Sequence, residues 1–543
     1  MEIARNDSGE SPEDCGSLVE ARDESARSAC VSRRGALGVA SVGAAALLPV
    51  IAASLRGITV AGTGPESSST AAGGGQVLLD VAGADGRLLD LDALVELQVN
   101  GADADTRDDA LLDAATLELI ELAPLEPHAQ ATAALELPAG RAACLTLSWP
   151  TSHGYSALFA DLPGPGRYAL AELAARGLHK AQEEIQTQLR SIAETKAQEI
   201  DALRTRTGQA LQNCEAATTP TERAVAANAA LEAATTAQIA QDEAGTRLGP
   251  EAAMLGVTFT SVPLPGKSAQ AVARLTEAGR QSLVRIVVDD TDDPEEMAGW
   301  RRCAAELHDA GAQIMVQIGD SQVLNDFDEA SWTRRIDALV AAFPDADAWE
   351  IGNELAGEWT GPNAVERTLQ AARALAAAPA TASAPRLLTV YYQLGQGTAA
   401  ESVMSWTANN LKGELAELTD VVGLSVYPQW HPLGSGARRV LEVLGRMVAD
   451  KPTALTELGY GAQDLDDGPW WFGSADDTGA GRDAVARHLT AVALGQPRAW
   501  AAPLWWYYLQ DDGLAATEDS AVQQSGAGAV SQELVAAARV ESA

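Results

Sequence analysis

Two glutamates stand where apolar runs end. Glu354 closes Ala348-Trp349-Glu350-Ile351-Gly352-Asn353-Glu354, and Glu457 sits in Thr453-Ala454-Leu455-Thr456-Glu457-Leu458. Carboxyl groups work in pairs when one, kept protonated, gives up a proton and the other, ionised, attacks or stabilises developing positive charge. Two further polar residues stand in apolar runs: Arg285, in Val284-Arg285-Ile286, carries a fixed positive charge, and Tyr427, in Ser425-Val426-Tyr427-Pro428, a phenol donor. Other chemistries lack their residues. No Gly-x-Ser-x-Gly elbow ends a strand, no His-Glu-x-x-His occurs, and no metal-ligand cluster is evident. A reaction without metal or cofactor is expected.

The elements that must position these groups run from 251 to about 512. Candidate strands fall at 254–260, 283–288, 313–318, 348–353, 387–392, 421–427, 453–458 and 502–508. Amphipathic stretches such as 295–310, 332–342 and 363–377 have the length of crossover helices. Eight strands alternating with helices predict an α/β fold, a (β/α)8 barrel in the C-terminal half. An open doubly wound sheet is the competitor, and no Gly-rich phosphate loop follows the first strand to support it. Active sites of such barrels sit at the C-terminal strand ends, and strands four and seven lie across that mouth. Glu354 and Glu457 are then able to face each other over one bond.

An Asn-Glu pair ending the fourth strand (Asn353-Glu354) and a glutamate ending the seventh (Glu457) resemble clan A of the glycoside hydrolases. The resemblance covers 251 to 512. It implies Glu354 as general acid/base, Glu457 as nucleophile and Asn353 as the contact to the sugar 2-hydroxyl, with Arg285 on the second strand hydrogen-bonding Glu457 to keep it ionised and Tyr427 on the sixth donating its phenol to it. It also implies an aromatic on the eighth strand, under the bound sugar. Trp505-Trp506-Tyr507-Tyr508 supplies it, with a one-residue register choice between Trp505 and Trp506 left open. The implied activity is that of a retaining β-glycosidase or endo-glycanase. Such enzymes hold their carboxyls ~5–5.5 Å apart, against roughly 6.5–9.5 Å for inverting ones. Of the 12 tryptophans all but Trp149 lie between Trp300 and Trp506, inside the proposed barrel. Trp359, Trp430, Trp470 and Trp471 follow strands four, six and seven, where sugar faces stack. His431 beside Trp430 is a candidate substrate contact, and Asp511 and Asp512 are candidate rim residues. The sugar, its linkage and endo or exo action stay open. The competing reading is a non-catalytic carbohydrate-binding or cell-surface assembly protein on the same barrel.

The remaining sequence divides by composition. Segment 1–76 holds Ser32-Arg33-Arg34-Gly35-Ala36-Leu37 before an apolar run over 35–55, then a Gly/Ser/Thr-rich linker. It resembles a twin-arginine (Tat) signal, cleaved or retained as a membrane anchor. The implied location is periplasmic, extracellular or cell-surface. Segment 77–168 reads as a small β-rich, sandwich-like domain; with Trp149 its one tryptophan, a structural role is favoured over a carbohydrate-binding one. Segment 169–250 reads as one long antiparallel helical hairpin. Its stripe is Ile185, Leu189, Ile192, Ile200, Leu203, Ala210 and Cys214, and Thr219-Pro220-Thr221-Glu222 restarts the helix. That hairpin packs on the barrel or mediates a homodimer. The barrel occupies 251–515, and 516–543 reads as a tail. A net charge of -37 excludes a nucleic-acid partner and favours a neutral one such as carbohydrate. The 5 cysteines show neither zinc nor disulfide spacing, so buried free thiols are expected.

Overall fold

The computed structural model describes residues 74–98, 107–395, 398–460, 478–515 and 528–539. The twin-arginine segment, the 35–55 run, the linker, Trp470 and Trp471 lie outside them. Among the described residues no helix is long and apolar enough to cross a membrane.

The chain opens with β1 (Gly75–Asp80), a short helix α1 (Leu91–Glu96), β2 (Ala110–Asp113), β3 (Leu119–Leu122), β4 (Ala133–Leu137), β5 (Ala143–Thr151), β6 (Gly154–Leu162) and β7 (Gly166–Ala169). They form two sheets, β4-β1-β7 and β3-β2-β5-β6. The β-rich segment does not close on itself. Val77, Leu79, Leu111, Leu145 and Leu158 share one core with Leu211, Ala227 and Leu231 of the helices that follow. Phe159 and Ala157 project the other way, into the core that surrounds the barrel.

Three helices follow where a two-helix hairpin was expected: α2 (Leu170–Ile192), α3 (Glu194–Ala216) and α4 (Pro220–Ala244). The chain breaks at Ala193 (φ -150, ψ 61), so the apolar stripe read across it belongs to two helices. Ile192, at the break, is 43% exposed and leaves the buried face. Polar bonds hold the reversal: Gln186 Nε2 donates to Ala197 O at 2.6 Å, and Arg190 meets Asp201 at 2.8 Å. Helix α4 starts as its sequence requires, with Thr219 and Glu222 in a reciprocal capping box and Pro220 in the first turn. Asp242 then ties the bundle to the barrel's outer helices. It accepts from Arg438 Nε at 2.7 Å and sits 3.1 Å from His488 Nε2, all three buried. Burial alone would raise the Asp242 carboxyl, but the Arg438 charge and His488 outweigh it and hold it below its ordinary value.

The barrel is the expected one. Its strands are β8 (Met254–Phe259), β9 (Ser282–Ile286), β10 (Gln313–Gln317), β11 (Ala348–Leu355), β12 (Arg386–Tyr391), β13 (Val421–Val426), β14 (Thr453–Leu458) and β15 (Ala499–Trp505). They close in sequence order, β15 pairing in parallel with β8. Strand side chains alternate between two faces, and the barrel uses that period to build layers. Met254, Leu283, Met315, Ala348, Leu387, Val421, Ala454 and Ala501 plug its lower end. Their successors Leu255, Val284, Val316, Trp349, Leu388, Val422, Leu455 and Ala502 pack outward under the helices. One residue further, the interior turns polar, with Arg285, Gln317, Glu350, Thr389 and Thr456 all buried. The supposed tail also contributes to this fold. Its helix Val530–Ala538 buries Val530, Leu534, Val535 and Ala538, and Arg280 Nε donates to Ala538 O at 2.8 Å. Cys144, Cys214 and Cys303 are buried free thiols.

Candidate active site

Strand β11 places two consecutive residues in the mouth, which a regular strand cannot do. Ala348 and Glu350 face inward by alternation. The pairing with β12 then slips between Glu350 and Gly352 and again before Leu355. A Cβ on Gly352 would come within 2.8 Å of Thr368 Oγ1, on the helix side, so the phase has moved by one residue. Asn353 consequently faces inward. Glu354 has φ 49, a left-handed conformation costly for a residue with a side chain, and its carboxyl is thereby kept in the mouth as well.

Asn353 Nδ2 donates to Glu457 Oε2 at 3.1 Å, while its Oδ1 accepts from the Ser321 amide at 2.9 Å. These two bonds fix which way the amide points. Glu457 Oε2 also accepts from Arg285 Nη2 at 2.9 Å, and its Oε1 accepts from the Tyr427 phenol at 2.5 Å. Glu354 has different company. Its Oε2 accepts from Ser321 Oγ at 2.6 Å and its Oε1 from Ser425 Oγ at 2.8 Å. Trp359 Nε1 donates to that same Ser321 oxygen at 3.0 Å. The two glutamates, each 1% exposed, are thus joined through Asn353 and Ser321.

Arg285 is fully buried, and besides Glu457 it contacts both oxygens of Glu350 at 3.1 Å and Thr258 Oγ1 at 3.2 Å. Burial would lower its pKa, but the Glu350 and Glu457 charges reverse this and hold it above the usual arginine value. Trp506 lies over the guanidinium, 5.0 Å from its ring centroid. That resolves the register between the two tryptophans. Trp505 points away from the mouth, is fully buried in the outer core, and donates its indole to Asp511 at 2.7 Å. Burial pushes the Asp511 carboxyl up to about 6 against the opposing effect of Arg482 and Trp505. Asp512 pairs with Arg274. Both aspartates hold the wall together where a role at the rim was expected.

The aromatic side chains gather over strands four to six. Trp430 lies 5.2 Å from Tyr427, Trp359 meets Tyr391 edge-on at 4.8 Å, and Tyr391 meets His431 at 5.4 Å. His431 also lines a small cavity against the β-rich segment with Asp108, Ser148 and Tyr392.

Sequence reasoning assigned no role to Ser321, Ser425, Glu350, Gln317 or Thr389. Ser425 lies two residues before Tyr427, and Glu350 two after the inward Ala348, so alternation carries a signal for both. Ser321 lies in the loop after β10, where no period points to it. Among the described residues no group of three or more His, Cys, Asp or Glu is placed to hold a metal ion.

No family profile matches the chain, and no curated protein matches it. Solved structures similar to it include a fungal β-1,4-galactanase, at 16% identity, covering 52% of this chain and 95% of that one, with a TM-score of 0.36. The endo-β-1,4-mannanase of Thermotoga petrophila is 12% identical, covering 53% and 77%, with a TM-score of 0.37. A family 5, subfamily 18 glycoside hydrolase of Streptomyces cattleya, bound to Manβ1-4GlcNAc, is 13% identical over 54% and 82%, with a TM-score of 0.35. The likeness is one of barrel fold, and the chemistry of this chain is argued from its own side chains.

Proposed function

We propose that this chain is a retaining glycoside hydrolase that cleaves an O-glycosidic bond of an oligo- or polysaccharide by double displacement. One observation carries the reading: the two mouth carboxylates are held by unlike partners. Glu457 receives a guanidinium, an amide and a phenol, all as donors, which suits a carboxylate that must attack as an anion. Glu354 receives two hydroxyls, which can turn to accept when the carboxyl carries a proton. Acid/base work needs a group served in both states.

In the first step Glu354 protonates the glycosidic oxygen while Glu457 attacks the anomeric carbon, and the leaving sugar departs. In the second, Glu354 takes a proton from water, the water oxygen bonds to the anomeric carbon, and Glu457 is released. Asn353 reaches the sugar 2-hydroxyl from its place beside Glu457, and Trp506 offers its face to the ring. A neutral carbohydrate substrate fits the strongly acidic chain, and export through the twin-arginine segment would bring the two together outside the cytoplasm.

A panel of aryl glycosides tests the reading. The wild type should turn over at least one of them with retention, and Glu457→Ala should not. Equal inertness of both proteins on every sugar would leave a non-catalytic binding protein. An inverted product from the wild type would remove Glu457 as nucleophile.

A further inference from the structure

Beneath the mouth lies a third buried carboxylate that double displacement does not use. Glu350 is 1% exposed and accepts from Arg285 Nη1 at 3.1 Å, from Gln317 Nε2 at 3.0 Å and from the Thr389 hydroxyl. Arg285 therefore serves two carboxylates from one rigid fork, Nη1 toward Glu350 below and Nη2 toward Glu457 above. The charged or titratable groups that face Glu350 from the neighbouring strands are Arg285 and Glu457, with Tyr427 beyond them on Glu457. Gln317 and Thr389 are neutral. Burial pushes the Glu350 carboxyl above its ordinary value, and the Arg285 charge only partly opposes this. One positive charge is shared between two negative ones.

We propose that Glu350 is a positioning residue for Glu457: it fixes the Arg285 fork and, by claiming part of its charge, limits how tightly the nucleophile is held. The proposal rests on the glycosidase reading above. Glu350→Gln keeps the shape and removes the competing charge. Gln317 Oε1 has no hydrogen-bond partner, so its amide can turn to accept from the new one.

With the competing charge gone, the ionised form of Glu457 is favoured. The acidic limb of kcat/KM should move to lower pH by about one unit. kcat for glycosylation should fall, since a better-held carboxylate is a weaker nucleophile, and KM should change little. Glu350→Asp, which keeps the charge, should restore the limb. Thr389→Val strips a donor from Glu350, favours its neutral form, and should move the limb downward by a smaller step.

A second readout needs no turnover: 13C NMR of carboxyl-labelled glutamate, with Glu457 assigned through Glu457→Gln. A fall in the Glu457 midpoint in Glu350→Gln supports the proposal. The same fall in a protein that cleaves no glycoside supports the positioning and rejects the glycosidase reading. An unmoved midpoint and an unmoved limb in an active enzyme overturn the proposal, leaving Glu350 as part of the barrel floor. If Glu350→Gln does not fold, Thr389→Val decides alone: a downward shift supports the proposal, and no shift or an upward one overturns it.

Discussion

Glu354 and Glu457 end strands of one barrel and are equally buried, yet they are held in opposite ways. Around Glu457 the chain has gathered a fixed positive charge, backed by a buried polar layer reaching down to Glu350, Gln317 and Thr389. At Glu354 two serine hydroxyls donate to the carboxyl, one of them anchored by the Trp359 indole. A carboxylate surrounded by committed donors has one comfortable protonation state, whereas one surrounded by hydroxyls has two. On the proposed reading, this difference in partners is what assigns different work to two identical side chains.

The harshest test of this contrast removes each glutamate. Glu457→Ala should cost on the order of 10⁵-fold in kcat, the scale seen when a covalent nucleophile is deleted. Azide should not restore a retained product. Glu354→Ala should cost roughly 10²–10⁴-fold, the usual contribution of acid/base catalysis. With an activated aryl leaving group its glycosylation should outpace deglycosylation, and azide should rescue turnover. Steady-state and burst kinetics on one aryl glycoside separate the two. If both variants lose the same amount and azide rescues neither, the contrast in partners has no functional meaning.

The sequence made this contrast half visible. Arg285 and Tyr427 can be tied to Glu457 through the resemblance to clan A, which places such residues on the second and sixth strands. Irregularities hid the rest. On β15, Ala501 and Leu504 both point into the barrel, because the pairing slips between Pro503 and Trp505. Counting by twos from Ala501 selects Trp505, and only the slip selects Trp506. The same effect brings Asn353 inward on β11, and the sequence offers Gly352 as its sole trace. The break at Ala193 has neither proline nor glycine to announce it. The helix Val530–Ala538 was lost as tail because nine residues behind a Gly- and Ser-rich stretch leave little periodic signal. Ser321 depends on the path of a loop, which no periodicity encodes.

Finer tests remove one donor from each side. Tyr427→Phe deletes a hydrogen bond to a charged group, worth about 1.5–3 kcal/mol, so kcat/KM should fall by roughly 10- to 100-fold. Loss of a donor disfavours the ionised carboxylate, so the acidic limb of the pH profile should move upward while the basic limb stays. A movement confined to the basic limb would contradict the assignment of Tyr427 to the nucleophile.

Ser425→Ala is the matching change beside Glu354 and should do least. Its hydroxyl donates to Glu354 Oε1 when that carboxyl is ionised and is free to rotate and accept when it is protonated. A neutral hydrogen bond is worth about 0.5–1.5 kcal/mol, which sets an upper bound of roughly tenfold on the rate. Because both protonation states lose support together, the basic limb should shift by less than about half a pH unit. Ser321 differs, since its oxygen already accepts from Trp359 and its proton is committed to Glu354. Ser321→Ala should therefore move the basic limb more than Ser425→Ala, toward lower pH if its bond chiefly serves the protonated acid through the Trp359 link, and toward higher pH if it chiefly serves the carboxylate. Donation from Ser321 Oγ to Glu354 requires the second outcome. Profiles of the two serine variants measured side by side decide it, and a larger shift from Ser425→Ala would contradict the difference between the two hydroxyls that the Trp359 bond implies.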